Sequence, residues 1–176
     1  KLFDTLGRSG INIIACAQGA SETNISFVIK RKYLTKALNV LHDAFFLADY
    51  QALNIFLVGT GTVGGSLLEQ IEHQQEKILK QNSVKLNVVG ITDVNGSIFD
   101  EHGIDLKNYQ DILKEKGVPT KPEEIKNKII EMNLFNSVFV DCTASAAISS
   151  LYLDLLKHNI SVVAANKTAT SGPYDL

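Results

Sequence analysis

An apolar run, Asn54-Ile55-Phe56-Leu57-Val58, feeds Gly59-Thr60-Gly61-Thr62-Val63-Gly64-Gly65 and then a helical pattern, and no other feature of the chain constrains its fold as tightly. Glycines at G-x-G-x-x-G spacing between a strand and a helix point to a dinucleotide-binding turn. Gly59 lets the strand turn sharply, Gly61 leaves room for a pyrophosphate, and Gly64 lets the helix pack close to the strand. The first helical turn, with Thr62 and Val63, then offers free N–H groups. Together with about half a unit of positive dipole charge, these attract a diphosphate without any lysine.

From Asn54 onward strands alternate with helices, which predicts an α/β fold with a doubly wound parallel sheet. The strand candidates are 54–58, 85–92, 137–141 and 161–164. Leu67, Leu68, Ile71, Ile78 and Leu79 mark a long helix after the turn. Residues 95–118 read as loop with one short helix. Thr120-x-x-Glu123, with Pro122 in the first turn, reads as a capping box for a helix over Glu123–Met132. Ser145 is placed to cap a further helix carrying Ile148, Leu151, Leu155 and Leu156 on one side.

Residues 1–47 follow a different pattern. Leu2, Phe3 and Leu6 form a helical stripe stopped by Gly7 and Gly10, and strands are expected from Ile11 to Ala15 and from Asn24 to Lys30. Leu34, Leu38, Leu41 and Phe45 recur at helical spacing. The order is helix, strand, strand, helix, with apolar faces that need a further sheet edge or a partner. Residues 48–53 read as a short connection, and 54–176 as the second domain.

A chain of 176 residues, 45% hydrophobic and 20% charged, can bury a real core. A net charge of −2 gives no electrostatic reason to expect nucleic acid or an anionic membrane. No apolar run approaches the ~20 residues that span a bilayer, and a signal-peptide pattern is missing, so the cytoplasm is the expected compartment. Cys16 and Cys142 lie in apolar, strand-like surroundings without ligand spacing, which predicts buried reduced thiols and no metal site. The start at Lys1, without a methionine and inside a helical pattern, suggests a piece of a longer polypeptide.

Three strand ends carry candidate chemistry, since ligands of open α/β sheets bind at the carboxyl edge. Asp93 ends the second strand, further past Gly64 than the usual ~20 residues because the first helix is long. A carboxylate there would accept ribose hydroxyls and repel a 2′-phosphate, favouring NAD over NADP; equally, Asp93-Val94-Asn95-Gly96 is turn chemistry in its own right. No arginine follows nearby, although Lys107 could approach from the loop. Thr143 and Ala144, after the third strand, could touch a cofactor through backbone groups, or Thr143 and Ser145 could only cap the next helix, and both roles are compatible. Lys167, after the last strand, is either a surface lysine or a donor to a substrate oxygen beside a nicotinamide.

Val58 to Gly65, then Val140-Asp141-Cys142-Thr143, then Ala165-Asn166-Lys167-Thr168-Ala169, in that order and separation, resemble the nucleotide-binding domain of homoserine dehydrogenase. The preceding Gly10-Ile11-Asn12-Ile13 and Ala17-Gln18-Gly19-Ala20-Ser21-Glu22 resemble the end of the ACT regulatory region of aspartate kinase. Their adjacency resembles the junction of the bifunctional aspartokinase–homoserine dehydrogenase family. The resemblance implies a Rossmann-type sheet preceded by a partial ACT-like α+β unit. It also implies reduction of aspartate 4-semialdehyde to homoserine with NAD or NADP, as part of threonine and methionine biosynthesis. Lys167 matches the family's motif lysine and is carried over as an active-site residue, more an orienter than a sole proton donor. The remaining substrate-binding residues would lie beyond Leu176, so that this piece would bind cofactor without turning over substrate. Gln18 matches a glutamine implicated in binding an amino-acid effector such as threonine, with Asn12 and Asn24 as neighbours, although Gln18 could simply satisfy its own loop. Pairing with a second copy would complete the ACT sheet.

Two other readings compete. One is an amino-acid sensor without catalysis, which would have no need of Lys167. The other is a semialdehyde dehydrogenase, which needs a nucleophilic cysteine, and Cys142 is a poor candidate for that role.

Overall fold

The computed structural model describes residues 1–19, 24–46, 50–168 and 170–171. They form two compact units, Lys1–Asp49 and Tyr50–Leu176.

In the first unit, α1 (Leu2–Arg8) leads into the antiparallel pair β1 (Ile13–Gln18) and β2 (Ile25–Ile29), and α2 (Leu34–Phe46) follows. Gly10 takes the left-handed φ of 70° that lets the chain turn from α1 toward β1. The core is small: Leu6, Ile11 and Ala37 are buried together, with Tyr33 and Leu41 packed against them. Both strands remain largely exposed, and Ile14, Val28, Leu34 and Leu38 are each at least half exposed. Cys16 is exposed as well, contrary to the expected burial. Alternation in so short a hairpin does not say whether either face is covered.

The second unit is a five-stranded sheet in the order β5-β4-β3-β6-β7. Its strands are β3 (Gln51–Val58), β4 (Val84–Asp93), β5 (Gly96–Phe99), β6 (Ser137–Asp141) and β7 (Ser161–Ala164). β3, β4, β6 and β7 run parallel, and β5 is antiparallel to β4. Gln51–Leu53, expected within the connection, are strand; residues 47–49 lie outside the described residues. The helices are α3 (Thr62–Asn82), α4 (Tyr109–Lys116), α5 (Pro122–Met132), α6 (Ala146–Ser149) and α7 (Tyr152–Lys157).

Period-two alternation divides β3 between two cores. Ile55 and Leu57 pack with Leu68 and Ile71 of α3 and with Tyr109 and Leu113 of α4. Phe56 and Val58 pack with Ile125 and Ile129 of α5 and with Ile148, Leu151 and Leu155. A strand covered on both faces must be apolar at successive positions, which is why this segment reads as an unbroken hydrophobic run.

Three further sequence expectations need correction. Gly96–Phe99 is an edge strand where loop was expected; its Gly96 has φ 148° and Ser97 bridges to Val118, so turn-forming residues concealed a hairpin. The cap of α5 lies one residue later than expected: the Lys121 N–H donates to the Glu124 carboxylate at 2.8 Å, while the Thr120 hydroxyl donates back to the Val118 carbonyl. The expected single helix after Ser145 is two short ones, α6 and α7, and Leu156 is 54% exposed.

Candidate nucleotide-binding site

The chain goes from β3 through α3 to β4 on one side, and later enters β6 on the other side of β3. The carboxyl ends of β3 and β6 therefore flank a topological switch point, where open α/β sheets bind ligands. The glycine turn sits there. The Gly59 N–H donates to the Thr92 carbonyl of β4, and the Cys142 N–H to the Val58 carbonyl, both at 2.8 Å, so three strand ends are tied to one turn.

Each glycine has its own physical reason. Gly59 has φ 95°, and a Cβ on it would lie 2.9 Å from both the Cys142 carbonyl oxygen and the Thr143 methyl. A Cβ on Gly64 would stand 1.8 Å from the Gly59 carbonyl oxygen, so α3 reaches its position only with glycine there. Gly61 has no atom within 4 Å of such a Cβ, and the space beside it is open. Gly61, Thr62 and Val63 are exposed where the first-turn N–H groups of a 21-residue helix lack intrahelical acceptors. Open space over a positive helix end suits a diphosphate, and these residues fit a dinucleotide.

Asp93 is at the tip of β4, beside this turn. Its Oδ1 accepts the backbone N–H groups of Asn95 and Gly96, and its Oδ2 accepts the Thr60 hydroxyl at 3.1 Å and the Asn95 side-chain amide at 3.2 Å. The structure thus realises the turn reading, and the Thr60 contact also brings the carboxylate to the glycine loop.

A second centre lies behind the β6 end. Asp141 is fully buried, an arrangement that would be costly for a carboxylate without donors. Three are supplied: the Thr143 N–H at 2.7 Å to Oδ1, and the Tyr152 hydroxyl at 2.6 Å and Asn166 amide at 3.0 Å to Oδ2. Burial, then the bond to Asp141 and its charge, push the Tyr152 hydroxyl well above the ordinary tyrosine range. Asn166 also donates to the Ser145 carbonyl and accepts the Thr168 N–H. Asp141 and Asn166 thereby hold the start of α6 and the loop after β7 in one frame. That loop presents Lys167, which is exposed; Ala169 lies outside the described residues.

Ser145 makes no side-chain cap, and the Thr143 hydroxyl accepts the Ser145 N–H instead. Ala144 is exposed next to it. Cys142 is half-buried where full burial was expected; burial first, and then Asp141, push its thiol upward. Such a thiol makes a weak nucleophile, which weakens the semialdehyde dehydrogenase reading.

The structure brings Gly59, Gly61, Thr62, Val63, Gly64, Asp93 and Thr143 to one sheet edge. In the other unit, Gln18 pairs with Ile25 and so lies close to Asn24, whereas Asn12 precedes the opposite end of β1. Residues 20–23 of the effector loop lie outside the described residues. Sequence reasoning missed the role of Tyr152 and read Asn166 only as part of a motif. An acidic residue ending an apolar strand was the available signal, because a buried carboxylate requires donors.

The second unit is therefore a dinucleotide-binding α/β domain. Its residues 59–176 match the family described as homoserine dehydrogenase, NAD binding domain, and residues 1–45 match the ACT domain. The chain belongs to the homoserine dehydrogenase NAD-binding domain family, with an ACT domain at its N-terminal end. Among its relatives, the chloroplastic bifunctional aspartokinase/homoserine dehydrogenase 1 of Arabidopsis thaliana is 41% identical over 98% of this chain and 19% of its own length. The bifunctional aspartokinase/homoserine dehydrogenase of Haemophilus influenzae is 34% identical over 97% of this chain and 21% of its own. The chain thus spans about a fifth of these relatives. A hyperthermophilic archaeal homoserine dehydrogenase mutant, solved in complex with NADPH, superposes with a TM-score of 0.57 at 27% identity, over 71% of this chain and 39% of its own. No helix among the described residues is long and apolar enough to cross a membrane.

Proposed function

We propose that residues 50–176 form the coenzyme-binding part of an NAD(P)-dependent homoserine dehydrogenase, which reduces aspartate 4-semialdehyde to homoserine in a longer protein that also carries aspartokinase. The observation behind this reading is the open, exposed glycine turn at the switch point, with the motif lysine in the loop after β7, two strands away at the carboxyl edge of the same sheet. The reduced nicotinamide, when bound, supplies hydride to the aldehyde carbon. The Thr62 and Val63 N–H groups would hold the diphosphate, and Thr143 and Ala144 would touch the coenzyme through backbone groups. Lys167 orients the aldehyde oxygen and stabilises the negative charge that develops on it. Asp141 and Asn166 act on the reaction only by positioning that loop.

In the first unit, Gln18 and Asn24 bind an amino-acid effector, threonine in this reading, while Asn12 lies before the opposite end of β1. The exposed strands pair with a second copy, which makes the protein a homo-oligomer. The cytoplasm is the compartment carried by this reading, with the chloroplast as the alternative that the plant relatives' names supply. Lys167→Ala in the longer protein tests the catalytic assignment: kcat should fall at least about a hundredfold with coenzyme affinity little changed. Unchanged kcat would remove Lys167 from the active site.

A further inference from the structure

We propose that this chain selects the coenzyme lacking a 2′-phosphate, and that the carboxylate of Asp93 makes the selection. The inference rests on the coenzyme site proposed above and deepens it. Two backbone N–H groups, of Asn95 and Gly96, fix Oδ1 and so set the carboxylate's orientation before any ligand arrives. Oδ2 is held differently: its donors, the Thr60 hydroxyl and the Asn95 side-chain amide, are side-chain groups that can rotate away. A ribose hydroxyl can replace either of them and leave the backbone clamp intact. A 2′-phosphate at the same place has no proton to offer at neutral pH and brings a second negative charge against a fixed one.

Among the described residues, the chain on either side of Asp93 supplies no cation to change this outcome. From Thr92 to Glu101 there is no lysine or arginine, and Asp100 and Glu101 add acidic charge. Beside the turn, a groove of about 650 Å³ runs from Thr60 and Gly65 past Glu69, Glu72 and Asp111. Its basic residue is Lys107, whose ammonium lies 3.8 Å from Glu72. Three carboxylates face one ammonium that already has an acidic neighbour. The potential over this side of the turn is therefore negative, while the diphosphate position over the α3 terminus keeps its positive dipole.

The test is a fluorescence titration of the chain with NADH and with NADPH, repeated for Asp93→Asn. Asparagine serves the same turn, so the variant keeps the fold while losing the charge; thermal unfolding checks that it does. The wild-type chain should bind NADH at least about tenfold more tightly than NADPH, and in the variant the ratio should fall toward one through tighter NADPH binding. A merely structural aspartate would weaken both nucleotides alike, and that result overturns the assignment to Asp93. Equal or tighter NADPH binding by the wild-type chain overturns the selectivity while leaving the coenzyme site standing. Binding of neither nucleotide overturns the coenzyme site, and the selectivity with it.

Discussion

The two units of this chain spend similar apolar sequence very differently. In the nucleotide unit, five successive residues of β3 are buried, and the sheet is covered by helices on both faces. In the hairpin unit, five of the six residues of β1 are exposed, and the buried core rests on Leu6, Ile11 and Ala37. The difference teaches where each unit obtains its stability. The nucleotide unit carries its own core, so a ligand site can rest on strand ends anchored to that core. The hairpin unit leaves Ile14, Val28 and Leu38 uncovered, and the proposal of a paired ACT sheet follows from that.

Core truncations should break this comparison most sharply. Phe139→Ala removes a fully buried ring from the nucleotide unit and should cost about 3–5 kcal/mol in urea unfolding. Leu38→Ala, at a 59% exposed position, should cost less than about 0.5 kcal/mol in the unpaired chain. A large cost at Leu38 would show that its face is covered in solution.

Gly64→Ala should come next, at about 3 kcal/mol, the upper end of ordinary overpacking, because its new methyl meets a backbone oxygen that cannot step aside. Nucleotide binding should be lost with it. Tyr152→Phe should cost about 1.5–3 kcal/mol by removing one donor from the buried Asp141. Its pH dependence is diagnostic. The folded state raises the tyrosine pKa, so it binds a proton that the unfolded chain releases near pH ~10. The stabilisation is full below that pH and declines as pH rises above it, and the variant should show a flatter alkaline decline in its urea midpoint.

The smallest effect contrasts the two cysteines. Timed alkylation with mass spectrometry at pH 8 should label exposed Cys16 before Cys142, whose thiol is pushed upward by burial and by Asp141. Equal rates would mean that the end of β6 opens readily.

Elements whose cause is local were legible in the sequence. The strands over 137–141 and 161–164 have the bounds that hydrophobic runs predict, and the long helix follows its stripe. β5 was not legible, because Asn95-Gly96 announces a turn but not the strand that pairs beyond it. Cys16 was misread since exposure depends on what covers a face, which a strand's own residues do not specify. At the site, glycine spacing revealed the turn, while the frame around Asp141 joins residues up to 25 positions apart through tertiary contact alone. Asp93 held two possibilities in the sequence, and the structure shows the turn bonds together with a Thr60 contact to the loop.

The central claim is that a dinucleotide lies over the glycine turn, and binding to a Gly61→Val chain tests it most directly. That position is open, so the substitution should leave thermal unfolding nearly unchanged while filling the space a diphosphate needs. Saturable NADH binding by the wild-type chain, lost in Gly61→Val with the fold intact, is the predicted result. Undiminished binding in a folded Gly61→Val chain would contradict the account.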